Sequence, residues 1–339
     1  SEMCIRDSYV IESENMITGG TKPEIRQMVG ESYMLRAYMH FMLANLHAPA
    51  YTACDPAATL AIPLKLDSDV EATLKRDYLD KVYKSICDDL DSAEDYLNVE
   101  TWQPGYNYRF NVISADALRS RVLLYMGDYE GSLAAARRVL AVRSELSDVS
   151  SELPNAYNSV ENIVALEQVM TASYARTLKV NRDFYRLYTS ADKRRRTYFN
   201  QVSASNILLT KGGSNTYSCT LRTGEMLLNA AEAAWHCDDR DAAEGYLLTL
   251  QRARFNDSGA AKEAAVAAMT DDELLTEILE ERARELAFEG HRWFDLRRTT
   301  RPRIVRSYRG EEYVLEANDP RYTIRIPSSA IEANPGLAD

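Results

Sequence analysis

The sequence lacks the short signatures that mark most enzymes. It contains no G-x-S-x-G, no G-x-x-x-x-G-K-[ST], no G-x-G-x-x-G and no H-E-x-x-H. That excludes a nucleophile elbow, a phosphate-cradling loop, a dinucleotide fingerprint and a zincin helix. Only four histidines occur, His40, His47, His236 and His291, and they lie far apart. Each is read as a structural or surface residue rather than a metal ligand. The five cysteines, Cys4, Cys54, Cys87, Cys219 and Cys237, are odd in number and irregular in spacing, with no C-x-x-C. They fit neither a disulfide framework nor a zinc site. Cys87, beside an apolar helical stripe, reads as a small core residue. No apolar run approaches the roughly 20 residues that span a bilayer. The first residues, SEMCIRDSYVIESENMITGG, show no charged region followed by a long apolar one. SEMCIRDS shows no structural pattern and is expected to be a chain edge without an export signal.

What is present describes a folded, acidic protein. Of 339 residues, 45% are hydrophobic and 27% charged, and 51 acids against 40 bases give a net charge of −11. A chain of this length buries about three quarters of its unfolded surface. Its negative charge repels polyphosphate and argues against nucleic acid as a partner. The basic run KRRR, Lys193–Arg196, is local and reads as a solvated or ion-paired turn.

Helical periodicity recurs along the chain. Between Pro23 and His47, the residues Ile25, Met28, Leu35, Tyr38, Met42 and Leu46 recur at helical steps, with Pro23 suited to the first turn. From Arg76 to Leu97, Leu79, Val82, Tyr83, Ile86, Leu90, Ala93 and Leu97 form one stripe. Ser114–Val142, with Ser114 as a cap, and Thr223–Arg254 each read as two apolar helices. A very short turn containing aspartate joins each pair: Gly127-Asp128 in one, Cys237-Asp238-Asp239 in the other. Small residues in the second helices (Ala135, Ala136; Ala242, Ala243) permit close approach. This is the logic of tetratricopeptide-like hairpins, each of which buries its face by stacking on a neighbour. Ser144–Thr220 is rich in Ser, Asn, Tyr and Thr with short apolar pieces such as NIVALEQVM, and reads as loops, short helices and a small strand pair. The end of the chain alternates at YTIRIP and then offers a short helix capped by Ser328 or Ser329.

The stretch EERARELAFEGHRWFDLRR, Glu280–Arg298, concentrates charge. On a continuous helix ending at Gly290, Glu281 with Glu285 and Glu285 with Glu289 are i,i+4 pairs. Such a pair could place two carboxyls close enough for glycoside hydrolysis. Arginines crowd the same stretch, however, and a nearby guanidinium lowers a carboxyl pKa where a general acid needs it raised. The reading favoured here is an ion-paired structural element, with Trp293, Phe294 and Leu296 packing inward; Trp235 is likewise expected in the core.

The same residues carry a resemblance. LLTEILEERARELAFEGHRWFDLRR resembles the C-terminal signature of the SusD/RagB family of outer-membrane nutrient-binding lipoproteins, through Glu281, Arg282, Glu285, Glu289, Gly290, Arg292, Trp293, Asp295 and Arg297. ESYMLRAYMHFMLANLHAPAY resembles the early family helix, with Arg36 and Tyr38 in its Leu-Arg-Ala-Tyr core. YRFNVISADALRSRVLLYMGDYEGSLAAA, LRTGEMLLNAAEAA (with Glu225 and Glu232) and YTIRIPSSAIEANPGL match further family segments in order. The resemblance covers roughly residues 24–337 and is weak at 145–190. It implies one all-α, tetratricopeptide-like array, an α-solenoid with long irregular loops and minor β content, over residues 1–339. Helix pairs are expected at about 24–98, 114–142, 223–254 and 271–290, a loop-rich insert at about 144–220 and an extended segment at 308–337. It also implies a function without catalysis, cofactor or metal: capture of oligosaccharide or peptide nutrients at the cell surface, and delivery to a SusC-like TonB-dependent transporter. The precursor would be lipid-anchored in the outer membrane; Cys4 cannot be assigned as the anchor. The alternatives are an α-helical glycoside hydrolase using the Glu281–Glu289 stretch and a tetratricopeptide scaffold that binds only proteins.

Sugar rings lie on aromatic faces, and the densest exposed-looking cluster is TWQPGYNYRF: Trp102, Tyr106, Tyr108 and Phe110, on a loop marked by Pro104-Gly105. Trp102, Tyr106 and Tyr108 are candidate ligand-binding residues. Tyr51 and Asp55, in a proline-containing loop, form a second candidate surface.

Overall fold

Capping chemistry sets the first long helix of the computed structural model, which describes residues 2–166, 170–214, 219–256 and 259–338. Helix α1 spans Glu2–Glu12 and α2 spans Lys22–His47. Thr21 and Glu24 form a reciprocal capping box at the start of α2, and Pro23 occupies its first turn. Next come α3 (Leu79–Tyr96), α4 (Val112–Met126) and α5 (Tyr129–Val142). The segment that follows holds strand β1 (Asn162–Val164), short helices α6 (Ala172–Thr177), α7 (Arg182–Arg186) and α8 (Arg194–Thr197), and strands β2 (Phe199–Ser203), β3 (Asn206–Leu209) and β4 (Leu221–Arg222). Helices α9 (Thr223–His236), α10 (Arg240–Arg254), α11 (Ala260–Ala267), α12 (Asp271–Glu285) and α13 (Arg292–Arg298) lead to β5 (Ile304–Tyr308), β6 (Glu311–Leu315) and α14 (Ser328–Ala333). Among the described residues the strands form only two-stranded antiparallel pairs, β1 with β4, β2 with β3 and β5 with β6. The fold is all-α, of the tetratricopeptide-like hairpin type with minor β content. No described helix is long and apolar enough to cross a membrane.

The chain divides into two compact units. The first comprises the chain up to Val99, Tyr125–Gly127 and everything from Trp293 onward. In it α2 packs against both α1 and α3. Being covered on two sides, α2 buries a different set from the stripe expected of it: Val29, Met34, Ala37, Phe41 and Ala44 are buried with Tyr38, whereas Met28 is exposed. The stripe expected of α3 is the buried one, from Leu79 to Leu97. From Glu2 onward the segment SEMCIRDS is helix α1 rather than an unpatterned edge, and Cys4 within it is fully buried. All five cysteines are free thiols. Buried Arg297 donates to the carbonyls of Asn45 and Ala48 at the C-terminal end of α2, where a cation meets the negative end of the helix dipole. YTIRIP forms no strand; the C-terminal hairpin lies earlier, at β5–β6. Its turn residues Arg309 (φ 52°) and Gly310 (φ 85°) both adopt the left-handed conformation that matches the strand twist.

The second unit comprises Glu100–Leu124 and Asp128–Arg292. Helix α4 begins at Val112, two residues before the expected start. Asn111 is its cap, its Oδ1 accepting from the Ser114 N–H while Ser114 Oγ accepts from the Asn111 N–H. The turn aspartates are caps too: Asp128 accepts from Gly131 N at 3.0 Å and Asp239 from Ala242 N at 3.2 Å. Helix α9 packs against α5, α10 and α12 and is buried from Thr223 to Ala234, including Glu225, Asn229 and Glu232, which meet buried Arg121 and Arg282. The insert packs its own aromatic core of Tyr185, Tyr188, Tyr198, Phe199 and Ile207 against Phe288. Part of the NIVALEQVM piece, residues 167–169, lies outside the described residues.

In the first unit, the Asp7 carboxyl is buried beside the Arg36–Asp89 ion pair (2.6 Å), with one oxygen lacking any hydrogen-bond donor. Burial pushes its pKa up to about 7; Arg36 pulls it down and Asp89 pushes it up. A raised carboxyl contributes stability below its ordinary value of 3.8 that is lost as pH rises through about 7. Asp7→Asn is therefore expected to raise the unfolding free energy at pH 8 and leave it nearly unchanged at pH 4, as read by urea denaturation at both pH values.

Candidate functional site: a buried charge network and an aromatic ledge

Helix α12 carries Glu281 and Glu285 on one face, both fully buried. The helix stops at Glu285, earlier than the expected end at Gly290; Phe288 (φ 63°) and Gly290 (φ 87°) turn the chain. Glu285 and Glu289 are thus not a helical i,i+4 pair. Glu289 is instead turned toward Arg222, whose Nε and Nη2 donate at 2.8 and 2.9 Å, and toward Lys211 Nζ.

Glu285 is the hub. It accepts from Arg194 Nη1 at 2.7 Å, Arg222 Nη1 at 2.7 Å, Arg254 Nη2 at 2.9 Å and Arg254 Nε at 3.0 Å. Glu281 accepts from Arg194 Nη1 and Arg284 Nη2, each at 2.6 Å. Glu161 accepts from Arg254 Nη2 at 2.5 Å and Arg222 Nη1 at 3.0 Å, brought there by the antiparallel pairing of β1 with β4. Asp192 holds Arg194 through Nε and Nη2, both at 2.9 Å. Five carboxylates thereby face five cations, counting Lys211 and Arg284, in one water-excluded cluster. Gly224 makes room for it: a Cβ there would lie 2.3 Å from Arg222 Nη1 and 3.0 Å from Glu285 Oε1.

The electrostatics oppose acid–base catalysis by these residues. Burial by itself would raise each carboxyl, but the guanidinium groups overcome it. Arg254, Arg222 and Arg194 hold Glu285 well below the usual range; Arg194 and Arg284 hold Glu281 at about 2; Arg222 and Lys211 hold Glu289 at about 2. A general acid needs a proton at working pH and access to substrate. Glu281 and Glu285 have neither.

The other signature residues lie as follows. Arg36 pairs with Asp89, and Tyr38 is buried near it in sequence. Glu225 takes Arg121 Nε and Nη2, each at 2.6 Å. Glu232 lies 3.6 Å from Arg282, whose Nη1 donates to Asn229 at 2.7 Å. Arg292 is exposed, Asp295 pairs with Arg298 at 2.8 Å, and half-buried Trp293 stacks on Tyr322 with ring centroids 5.1 Å apart. Trp235 is half-buried at a pocket edge rather than in the core. Sequence reasoning missed the partners of Glu285. Arg194, Arg222 and Arg254 lie 91, 63 and 31 residues away, beyond any spacing rule. In the KRRR run, Arg194 is fully buried and ion-paired rather than solvated. Among the described residues no group of three or more His, Cys, Asp and Glu could hold a metal.

The exposed candidates fall into two places. In the second unit, Trp102, Tyr106 and Tyr108 form a continuous ledge. Ring centroids are 6.3 Å apart for the first pair and 6.2 Å for the second, with planes tilted by 36° and 35°. Tyr106 and Tyr108 are 47% and 45% exposed. Trp102 is pinned by Nε1 donating to the Phe110 carbonyl at 2.8 Å and by Arg109 over its ring at 3.8 Å. Asn107 donates to the Tyr157 carbonyl at 2.7 Å, and Tyr157 donates to the Gly105 carbonyl at 2.9 Å, fixing the loop. Phe110 is buried and belongs to the core. In the first unit, Tyr51 packs edge-on against Tyr83 at 4.9 Å, and the Asp55 carboxylate accepts from Ala57 N within its own turn. Tyr51 is part-buried and Asp55 exposed.

Comparison with known proteins places this geometry. The family model described as the SusD family matches residues 167–338, just over half of the chain, and a second, described as starch-binding associating with outer membrane, matches residues 10–124. A SusD superfamily protein from Bacteroides thetaiotaomicron has a similar structure, with TM-score 0.79 at 23% identity, covering 99% of this chain and 83% of its own. So does a SusD-like carbohydrate binding protein from Bacteroides vulgatus, with TM-score 0.76 at 20% identity over 98% and 81%. A SusD superfamily protein from Parabacteroides distasonis gives TM-score 0.74 at 17% identity over 99% and 82%. No curated protein matches the chain significantly.

Removing one partner of a buried ion pair costs about 3–5 kcal/mol. Glu285→Gln, which leaves three guanidiniums short of charge, is expected to lose that much stability in a urea titration. Glu281 and Glu289 have depressed folded pKa values, so their contribution is present above 4.5 and disappears as pH falls toward 2. Thermal melts from pH 6 to pH 2 should show the midpoint falling across that window.

Proposed function

The chain belongs to the SusD family, and from that premise we propose that it is a cell-surface binding subunit. It captures an oligosaccharide and hands it to a SusC-like TonB-dependent transporter in the outer membrane, held there by a lipid anchor on the precursor. The observation that carries the ligand reading is the ledge of Trp102, Tyr106 and Tyr108: three rings side by side, two of them close to half exposed, on a loop fixed by hydrogen bonds. Apolar C–H faces of a sugar pack on such rings, and a pre-set loop loses little entropy on binding. The similar structure from Bacteroides vulgatus is a carbohydrate binding protein, and one family description names starch, which supports a glycan over a peptide.

No step of this function is a reaction. The carboxylates that a hydrolase would use are sealed and ionised, so the family signature serves the scaffold and leaves recognition to the loops. A tetratricopeptide scaffold that binds only proteins would have no use for a sugar-sized aromatic ledge.

A glycan array followed by calorimetry with maltoheptaose or the best array ligand tests the proposal. Aromatic contacts of this kind are worth about 0.5–1.5 kcal/mol each. Tyr106→Ala and Tyr108→Ala should each weaken binding three- to tenfold, Trp102→Ala should weaken it further, and none should yield cleaved product. Oligosaccharide cleavage abolished by Glu285→Gln would overturn the reading, and binding only to peptides would reassign the ligand. Co-purification with a large β-barrel transporter encoded next to this chain tests the partner.

A further inference from the structure

A second concave site lies in the second unit, at the turn between α9 and α10. It is a pocket of about 300 Å³ lined by Trp235, His236, Asp238, Arg240 and Asp271. That volume is at the small end of the range of ligand pockets. Its aromatic wall is built rather than accidental. His236 stacks flat on Tyr129, with centroids 3.7 Å apart and planes 8° apart, and meets Trp235 edge-on at 4.9 Å. Trp235 is fixed by Nε1 donating to the Asp271 carbonyl at 2.8 Å.

The polar wall is one-sided. Arg240 is fully engaged: Nε contacts Glu244 at 2.7 Å, Nη2 donates to the Met269 carbonyl at 2.6 Å and Nη1 donates to Asp271. The starts of α10 and α12 are capped by Asp239 and Thr270, so their backbone donors at N3 are satisfied as well. One acceptor remains open: among the described residues the exposed Asp238 carboxylate makes no hydrogen bond or ion pair. Asp238 itself holds φ 57°, a left-handed conformation that places an acid where the turn could have used glycine. Spent donors and one open carboxylate beside an indole and an imidazole disfavour an anion and suit a group that donates hydrogen bonds and carries positive charge.

We propose that this pocket binds a protonated amine borne on a carbon frame that lies against Trp235, with Asp238 as its counter-ion. The chemistry is shared by an amino sugar and a lysine side chain. The site is separate in sequence from the ledge and does not depend on it. A receptor with both would hold an amine-bearing nutrient at two points.

Calorimetry with a β-1,4-linked glucosamine tetramer, its fully N-acetylated counterpart and tetralysine tests this. Asp238→Asn is the informative variant, because asparagine tolerates left-handed backbone as well as aspartate does and the shape is unchanged. The glucosamine tetramer, tetralysine or both should bind the parent protein, whichever binds naming the source of the amine. Asp238→Asn should weaken that binding at least tenfold with an unchanged melting temperature, and should leave binding of the acetylated tetramer unchanged. Failure of both amine probes to bind, equal binding of the acetylated tetramer, or affinity unchanged by Asp238→Asn would each overturn the proposal. None of those results bears on ledge binding of neutral glycans.

Discussion

One buried carboxylate organises the second unit. Glu285 takes four hydrogen bonds from three guanidiniums that reach it from α8, from the start of α9 and from the end of α10. Five acids and five cations in a water-excluded volume have no cheap alternative arrangement. Moving any one of them leaves a charge unneutralised in low dielectric, which costs far more than a surface pair contributes. The network sets which helix lies beside which, and it ties the irregular insert to the helical frame through Glu161, Asp192, Arg194 and Lys211. Packing of Leu227, Leu228, Leu250 and Leu286 then completes the same core with apolar contacts that specify position less strictly.

That division of labour separates the buried scaffold from the exposed loops it carries. Glu281, Glu285, Arg194, Arg222 and Arg254 are consumed in holding the scaffold together and are almost entirely shielded from solvent. On the function proposed above, recognition falls to segments such as the Trp102–Tyr108 loop, which hydrogen bonds fix while the Tyr106 and Tyr108 rings stay exposed. The pocket beside Trp235 follows the same rule: a tight turn between two packed helices, its backbone capped, presents a small set of side chains on a rigid base.

Much of the helical frame was legible because its signals are local. The aspartates of the two short turns proved to be caps, and the Leu79–Leu97 stripe is the buried face of α3. The α2 stripe was misread because that helix is covered by neighbours on two sides, so Val29, Met34 and Phe41 are buried where a single stripe was expected. The signature stretch reads as helix to Gly290, whereas the helix ends at Glu285 and Glu289 meets Arg222 and Lys211 beyond it. The aromatic run was visible as a candidate surface, but not that Phe110 turns inward while Tyr106 and Tyr108 stay out. Trp235 was assigned to the core because nothing adjacent in the chain indicates that a pocket opens at the end of α9.

The sequence by itself determined the all-α class, the hairpin units and the family, because helical periodicity and short turns act between residues one to seven positions apart. The tertiary structure alone decided which guanidiniums neutralise which carboxylates, and so that the acidic signature is inert. It also decided which rings and acids remain open to a ligand. Both depend on desolvation and neutralisation between groups tens of residues apart, such as Arg194 and Glu285, which come within reach only once the chain has folded.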